Sequence, residues 1–320
     1  MIAPADRTSS IVVRPAQPAD VERILDLLEA QEFVKPLTRE QLRALFTYPW
    51  AAAKPDHGYV VVDGERLGGF AATIYSPPRL LDGKQVVTLN AGTLFVQMRY
   101  RARRTPAGVI RYSEELTRII MALGYPLFVF SARGPNDVVP RILLSCGFEE
   151  VCSVDRFYTA GAAAGTLLRP SGSVLKTTDA IRPHLTPDQL RIMSDHQPYG
   201  CRFFLVREGD RTCFVVTKRR RYRAELIWPS IRVPRIRGRY FGVTDVLHLS
   251  DPEVAVRSWG RLVAQMSLTD RTVGVSCTES FFGGAAVPPG TAVPQRVLVS
   301  GLTTSLRSVD KLYSEQVLLP

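Results

Sequence analysis

The densest chemistry in this sequence of 320 residues is cationic. Between Arg202 and Arg239 stand eleven arginines and Lys218 against Glu208, Asp210 and Glu225, so one segment carries most of a net charge of +11. Such a field attracts anions: nucleic acid, a phosphorylated substrate, an acidic polysaccharide or lipid head groups. The same run also suits a solvated, arginine-rich strand edge. Cys146, Cys152, Cys201, Cys213 and Cys277 are odd in number and show no C-x-x-C spacing, which argues against a disulfide framework and against a zinc site. They read as small buried hydrophobes. His57, His184, His196 and His248 form no H-x-x-x-H pair, so no metal is expected. Asp195-His196 has the make-up of an acid/base dyad, and equally that of two neighbours in one surface turn.

The apolar fraction of 45% supplies two cores of about 150 residues each, an ordinary domain size. No apolar run approaches the roughly 18 residues that span a membrane, and Met1 to Ser10 lacks the basic-then-apolar pattern of a secretory signal. The expected compartment is the cytoplasm.

A pattern repeats. Leu37-Thr38-Arg39-Glu40-Gln41-Leu42-Arg43 returns as Leu185-Thr186-Pro187-Asp188-Gln189-Leu190-Arg191, at an offset of 148. Gly64-Glu65-Arg66 leading to Phe70-Ala71-Ala72-Thr73 returns as Gly209-Asp210-Arg211 leading to Phe214-Val215-Val216-Thr217, at an offset of 145 for the glycines and 144 for the phenylalanines. Two collinear matches at nearly one offset point to a tandem duplication. The expected domains are 1–160 and 177–320, joined by a linker over 161–176 rich in Ala, Gly, Ser and Pro.

Periodicity and turn residues predict the elements that must position any site. In the first copy these are a strand at Ile11-Val12-Val13 and a helix capped through Pro18-Ala19-Asp20. A second helix runs near Thr38 to Phe46, and a hairpin of Tyr59–Asp63 and Leu67–Tyr75 turns at Gly64. A long strand from Gln85 to Val96, a helix from Ala107 to Leu123 closed by Gly124, and a strand from Leu127 to Ser131 follow. Asn136 or Asp137 then caps a short helix ended by Gly147, and a strand pair runs from Phe148 to Tyr158. The second copy offers a helix at Pro187 to Ser194, a hairpin over Arg202 to Arg223 and a strand at Phe241 to Leu249. A helix from Pro252 to Met266 and a strand at Thr272 to Cys277 precede a Gly- and Pro-rich loop from Phe281 to Pro294.

Two motifs in this order resemble the Gcn5-related N-acetyltransferase family, well over Ile11 to about Tyr158 and in outline thereafter. Arg103-Arg104-Thr105-Pro106-Ala107-Gly108 is similar to the family's Arg/Gln-x-x-Gly-x-Gly/Ala loop, with proline in place of the first glycine. Asn136-x-x-Val139 closing in Gly147-Phe148 resembles the family's Asn-x-x-Ala pattern. The fold implied is α/β: two tandem domains, each a mixed, mostly antiparallel twisted sheet flanked by helices, the second copy degenerate.

The resemblance implies acetyl-CoA, or another acyl-CoA, as co-substrate. Its pyrophosphate would be received by backbone N–H groups at a helix start, and Pro106 supplies no N–H there. Phe95, Val96, Arg103, Arg104, Thr105, Ala107, Gly108 and Asn136 are the implied cofactor residues. Leu143 stands where many members have a tyrosine acting as general acid, and the preceding strand offers Thr88, Asn90 and Thr93 with no carboxylate. Asn90 and Ser131 remain as polar catalytic candidates at the opening between the two central strands, or as strand-end hydrogen-bonding groups. In the second copy Leu249-Ser250-Asp251-Pro252 replaces the phosphate loop, and an aspartate there repels phosphate. One coenzyme site is therefore expected, in the first copy, with Asp245 on its long strand and Tyr313 and Glu315 near the C-terminus as candidates in a substrate-binding half to bind or deprotonate an amine.

The function implied is acyl transfer to an unidentified amine, on a small-molecule or anionic substrate, by direct attack on the thioester. A degraded relative that binds acyl-CoA or a partner without turnover is the alternative. An anionic-polymer or nucleic-acid binder using Lys218 to Arg223 and Arg232 to Arg239 is the third reading, with Tyr222 and Tyr240 the only aromatics for base stacking apart from those of the hairpin and Trp228.

Overall fold

In this computed structural model the described residues are 11–30, 38–50, 54, 56–81, 84–101, 111–132, 138–159, 173–175, 178–228, 232–282, 285–301 and 310–318. The chain divides into two units. The first comprises Met1–Glu149 with Leu298–Leu302 and Leu319, and the second Glu150–Val297 with Thr303–Leu318 and Pro320.

The first unit begins with β1 (Ile11–Pro15) and the helix Val21–Glu29. Asp20 does not cap that helix with its side chain, as the sequence suggested. Its carboxylate turns back to accept from Gln17 N at 2.9 Å and to pair with Arg14 at 2.6 Å, tying strand to helix. The helix Arg39–Thr47 starts on a reciprocal cap: Thr38 Oγ1 accepts from Gln41 N, and Gln41 Oε1 accepts from Thr38 N. Strands β2 (Tyr59–Asp63) and β3 (Arg66–Tyr75) form the expected hairpin, with Gly64 at φ +59°. A two-residue turn with positive φ at its first position is what a hairpin of this length asks of glycine.

The long strand expected from Gln85 is two strands. Pro77 and Pro78 cannot donate to a ladder, so β4 (Arg79–Leu81) and β5 (Lys84–Val86) form a separate ribbon. The sheet resumes with β6 (Leu89–Val96), after Ser76 N donates to Thr88 O and Thr88 N to Ser76 Oγ, both at 2.8 Å. The helix Tyr112–Met121 buries Tyr112, Leu116 and Ile120 against this sheet. Gly124, at φ +76°, turns the chain into β7 (Leu127–Ala132). The helix Val138–Ser145 ends at Gly147, φ +99°. The expected start of the earlier helix at Ala107, and the cap at Asn136 or Asp137, lie outside the described residues. The strand order is β1-β2-β3-β6-β7, antiparallel except for the parallel β6 and β7.

The second unit opens with β8 (Glu149–Thr159), one strand where the sequence suggested a pair, and β9 (Ser173–Leu175). The helix Pro187–His196 repeats the reciprocal cap through Thr186 and Gln189. Strands β10 (Cys201–Glu208) and β11 (Arg211–Arg223) repeat the hairpin, and Gly209 repeats φ +59°. After β12 (Tyr240–Leu249), the helix expected from Pro252 to Met266 is two helices, Pro252–Arg257 and Trp259–Asp270, with Ser258 leaving helical geometry between them. β13 (Gly274–Thr278) follows. The loop expected to reach Pro294 stops earlier, because β14 (Thr291–Ser300) begins at Thr291. The order β8-β13-β12-β11-β10-β9 is again antiparallel except for one parallel pair, β12 with β13. Trp259, Leu262, Val263 and Met266 fill the core against Phe204, Val215, Val246 and Val275.

Candidate functional site

In the first unit the parallel strands β6 and β7 pair only at Leu89 with Leu127 and Asn90 with Phe128, and beyond these no pairing is recorded among the described residues. The β3–β6 ladder slips by one residue between Phe70 and Ala72, so Phe70 faces Phe95 while Ala72 faces Gly92. A bulge of this kind bends its strand away from the neighbour and re-aims backbone groups. Divergence and bulge both fall on β6.

Asn90 lies at the point of divergence. It is buried, and its Nδ2 donates to Phe128 O at 2.9 Å, bridging the last paired positions. The geometry gives it a strand-end hydrogen bond, the second of its two sequence readings. Ser131 lies on β7. Phe95 and Val96 are buried on β6, opposite Phe70 and Gly69. Past Asn90 an apolar cavity of about 20 Å³ is lined by Ala91 and Leu94 of β6, Val129 of β7, Thr117 and Ile120 of one helix and Val139 and Leu143 of the next. Leu143 is 2% exposed, so the position where the resemblance places a general acid is filled by a buried methyl-bearing side chain. Arg103, Arg104, Thr105, Ala107, Gly108 and Asn136 lie outside the described residues.

A carboxylate that the sequence reading passed over stands behind β3. Asp56 is buried and accepts from Gly58 N at 2.9 Å, from Tyr75 OH at 2.6 Å and from Thr73 Oγ1. Burial, reinforced by Asp56, pushes the Tyr75 phenol far above its ordinary pKa. Tyr48 OH donates to Thr73 O and accepts from Tyr75 N, both at 3.1 Å, and Trp50 Nε1 donates to Tyr75 O at 3.0 Å. The cluster clamps the chain before β2 onto β3. The only sequence signal for it was aromatic residues flanking a lone Asp-His-Gly.

In the second unit Asp245 is fully buried on β12. Its carboxylate accepts from Ser276 Oγ at 2.8 Å and from Lys311 Nζ at 3.1 Å, and Arg220 Nε stands 3.4 Å away. Lys311 also faces Asp155 Oδ2 at 3.7 Å, and Asp155 accepts from Thr278 Oγ1 at 2.5 Å. Burial opposes the charge on Lys311, but Asp155 and Asp245 outweigh it and hold the ammonium pKa above the ordinary lysine value. The arrangement equips Asp245 to hold a cation. Tyr313 and Asp195-His196 meet: Tyr313 OH donates to Asp195 Oδ2 at 3.2 Å, and Tyr313 N donates to His196 Nε2 at 3.4 Å. With Nε2 accepting, His196 Nδ1 donates to Ile192 O at 2.7 Å, so the ring is a neutral structural brace. Glu315 begins the short helix Glu315–Leu318.

The basic segment is partly consumed by the fold. Arg202 pairs with Asp270, Arg211 with Asp251 and Glu253, and Arg220 with Asp245. Arg219, Arg221 and Arg223 alternate on the exposed side of β11, and Arg232, Arg235, Arg237 and Arg239 are exposed in the turn that follows. No cluster of three or more metal-ligating side chains occurs among the described residues, and no described helix is long and apolar enough to cross a membrane.

No family model and no curated protein matches the chain in sequence. Solved structures do match in shape. A GCN5-related N-acetyltransferase from Kribbella flavida superposes with a TM-score of 0.51 at 12% identity, over 90% of this chain and 70% of that one. A conserved protein of unknown function from Enterococcus faecalis V583, described as a probable N-acyltransferase, gives 0.50 at 8% identity, over 91% and 72%. Saccharomyces cerevisiae N-myristoyltransferase with bound myristoyl-CoA gives 0.49 at 11% identity, over 95% and 83%. The paired divergence, the bulge and the first two of these likenesses agree that the chain has the fold of the GCN5-related N-acetyltransferases.

Proposed function

We propose that this protein is an acyl-CoA dependent N-acyltransferase whose acyl-CoA site lies in the first unit, where β6 and β7 diverge. The observation that carries the reading is the parallel pair that ends at Asn90 and Phe128, beside a bulge and an apolar cavity. An extended, amide-bearing pantetheine arm needs an open strand edge to hydrogen-bond to, and an acyl group needs an apolar end. Arg103 and Arg104 supply positive charge for the pyrophosphate. Acetyl-CoA is the reading's default donor, and the acceptor is an amine. The exposed arginines from Arg219 to Arg239 favour an anionic acceptor. Attack of a neutral amine on a thioester needs positioning more than covalent help, so the buried Leu143 does not exclude turnover.

The test is calorimetric titration with acetyl-CoA of the whole chain and of an Arg103→Ala, Arg104→Ala variant, followed by an amine screen for CoA thiol release. Binding that weakens at least tenfold in the variant supports the reading, and equal binding removes it. Leu143 favours a second reading, acyl-CoA binding without turnover, which thiol release with any amine excludes.

A further inference from the structure

The opening in the first unit has a counterpart in the second. β12 and β13 pair in parallel only at Thr244 with Val275 and Asp245 with Ser276 among the described residues, as β6 and β7 do at two positions. The one-residue slip recurs between Val216 and Thr217. The match of Phe70–Thr73 with Phe214–Thr217 carries Ala72 and Thr73 onto those two residues, next to the slip that ends at Ala72, so the bulge recurs at nearly the same place beside each hairpin. Val216 faces His248 and Thr217 faces Val246, which leaves Leu247 as the extra residue of the bulge.

Backbone groups released by a bulge and by diverging strands have to be satisfied by something else. Here the chain itself supplies it. Lys311 N donates to Leu247 O at 2.8 Å. The Lys311 side chain then reaches the last paired position, where Asp245 also takes Ser276 Oγ. Asp310 Oδ2 lies 3.1 Å from His248 Nδ1, one residue past the bulge, and Tyr313 N rests on His196. Further along, Lys218 donates to Val317 O. Lys311, Leu312, Tyr313, Ser314, Val317 and Leu318 are all buried. At the start of the helix after β12, Asp251 Oδ1 accepts from Val254 N at 3.2 Å while Arg211 holds the same carboxylate. The helix start that would attract a phosphate already carries an anion.

We infer that the segment Asp310–Leu318 is a ligand in cis: it fills, in the second unit, a duplicated acyl-CoA cleft. Lys311 N–H takes the bulge carbonyl that an amide of a pantetheine chain would take, and the Asp251 carboxylate stands in for the phosphates. The identity of the displaced ligand rests on the proposed function. The cleft and its occupant rest on the contacts alone.

The experiment uses the full chain in three forms: wild type, Lys311→Met with Asp245→Asn, and those two together with Asp251→Gly. Removing the cation together with Asp245 leaves one buried carboxylate, Asp155, on its Thr278 hydrogen bond, instead of two carboxylates without their ammonium. Amide hydrogen exchange is read first. Exchange over 310–318 at least tenfold faster in the double variant, with β10 to β12 still protected, is the expected result. Loss of protection in segment and strands together overturns the inference, because the segment would then be part of the unit's own core. Calorimetry with CoA is read second. One equivalent in wild type and two in the triple variant are expected. One equivalent in both, with the segment released, overturns the inference. No binding in wild type with one equivalent in the triple variant overturns the proposed function and leaves the cleft assignment standing. No binding in either form overturns both.

Discussion

Lys311 Nζ lies 3.1 Å from Asp245 Oδ1 and 3.7 Å from Asp155 Oδ2, so one ammonium joins two buried carboxylates from β12 and β8. Three charges out of water are tolerated only because each has partners, and Arg220, Ser276 and Thr278 complete the set. A segment distant in sequence is thereby fixed to the point where two strands part.

Breaking that set from one side is costly. Lys311→Met leaves two carboxylates facing each other and is expected to destabilise the protein by about 3–5 kcal/mol, part of which Asp245→Asn added to it recovers. Denaturant midpoints of the single and double variants check this. Because the Lys311 pKa is raised, its contribution is complete below the ordinary lysine value and is lost only as pH climbs through the higher folded value. This group therefore causes no loss of stability between pH 7 and pH 10.

Lys218 behaves oppositely. Burial, with Arg220 adding to it, brings its pKa down from 10.5 to about 8. The folded protein favours the neutral amine, so stability from this group is fully present above the unfolded value and falls as pH drops through about 8. The shift corresponds to about 3 kcal/mol. Unfolding free energy of wild type should rise between pH 7 and pH 10 relative to Lys218→Met, and parallel curves would count against the depressed value.

Ala91 faces the cavity past the divergence of β6 and β7. Ala91→Phe should fill it, lower acetyl-CoA affinity by tenfold or more, and cost about 1–3 kcal/mol of stability through overpacking. Calorimetry beside thermal denaturation separates the two effects. Unchanged affinity would move the acyl end away from this cavity.

Thr38 and Thr186 make the same cap in separate units. Thr38→Ala and Thr186→Ala should each cost roughly 1 kcal/mol, and together the sum, because the caps share no partner. A double-mutant cycle in denaturant measures any departure.

The duplication was legible because it is written in local chemistry: threonine caps answered by glutamine, and glycines that admit positive φ, leave signatures within four residues. Strand and helix positions followed for the same reason. The errors sit where distant residues decide. Pro77-Pro78 ended a ladder that the apolar run from Gln85 seemed to continue, and β14 hides in a Gly- and Pro-rich stretch because its partners lie far away in sequence. The Asp56 and Lys311 clusters were invisible for the same reason, since each gathers residues that no spacing rule connects. Asp245 could be singled out as a buried-strand carboxylate, but its partner Lys311, 66 residues away, could not.

The parallel pairs also set an order of assembly. Each hairpin closes over a two-residue turn, whereas Asn90 reaches Phe128 across 38 residues and Asp245 reaches Ser276 across 31. Long closures cost more chain entropy before any contact repays it. Each two-residue hairpin thus stands before the crossover that follows it docks, while the β1–β2 and β8–β13 ladders close over longer stretches of chain than either crossover and come later still. A nascent chain halted after the hairpins would hold both tight turns and neither parallel pair.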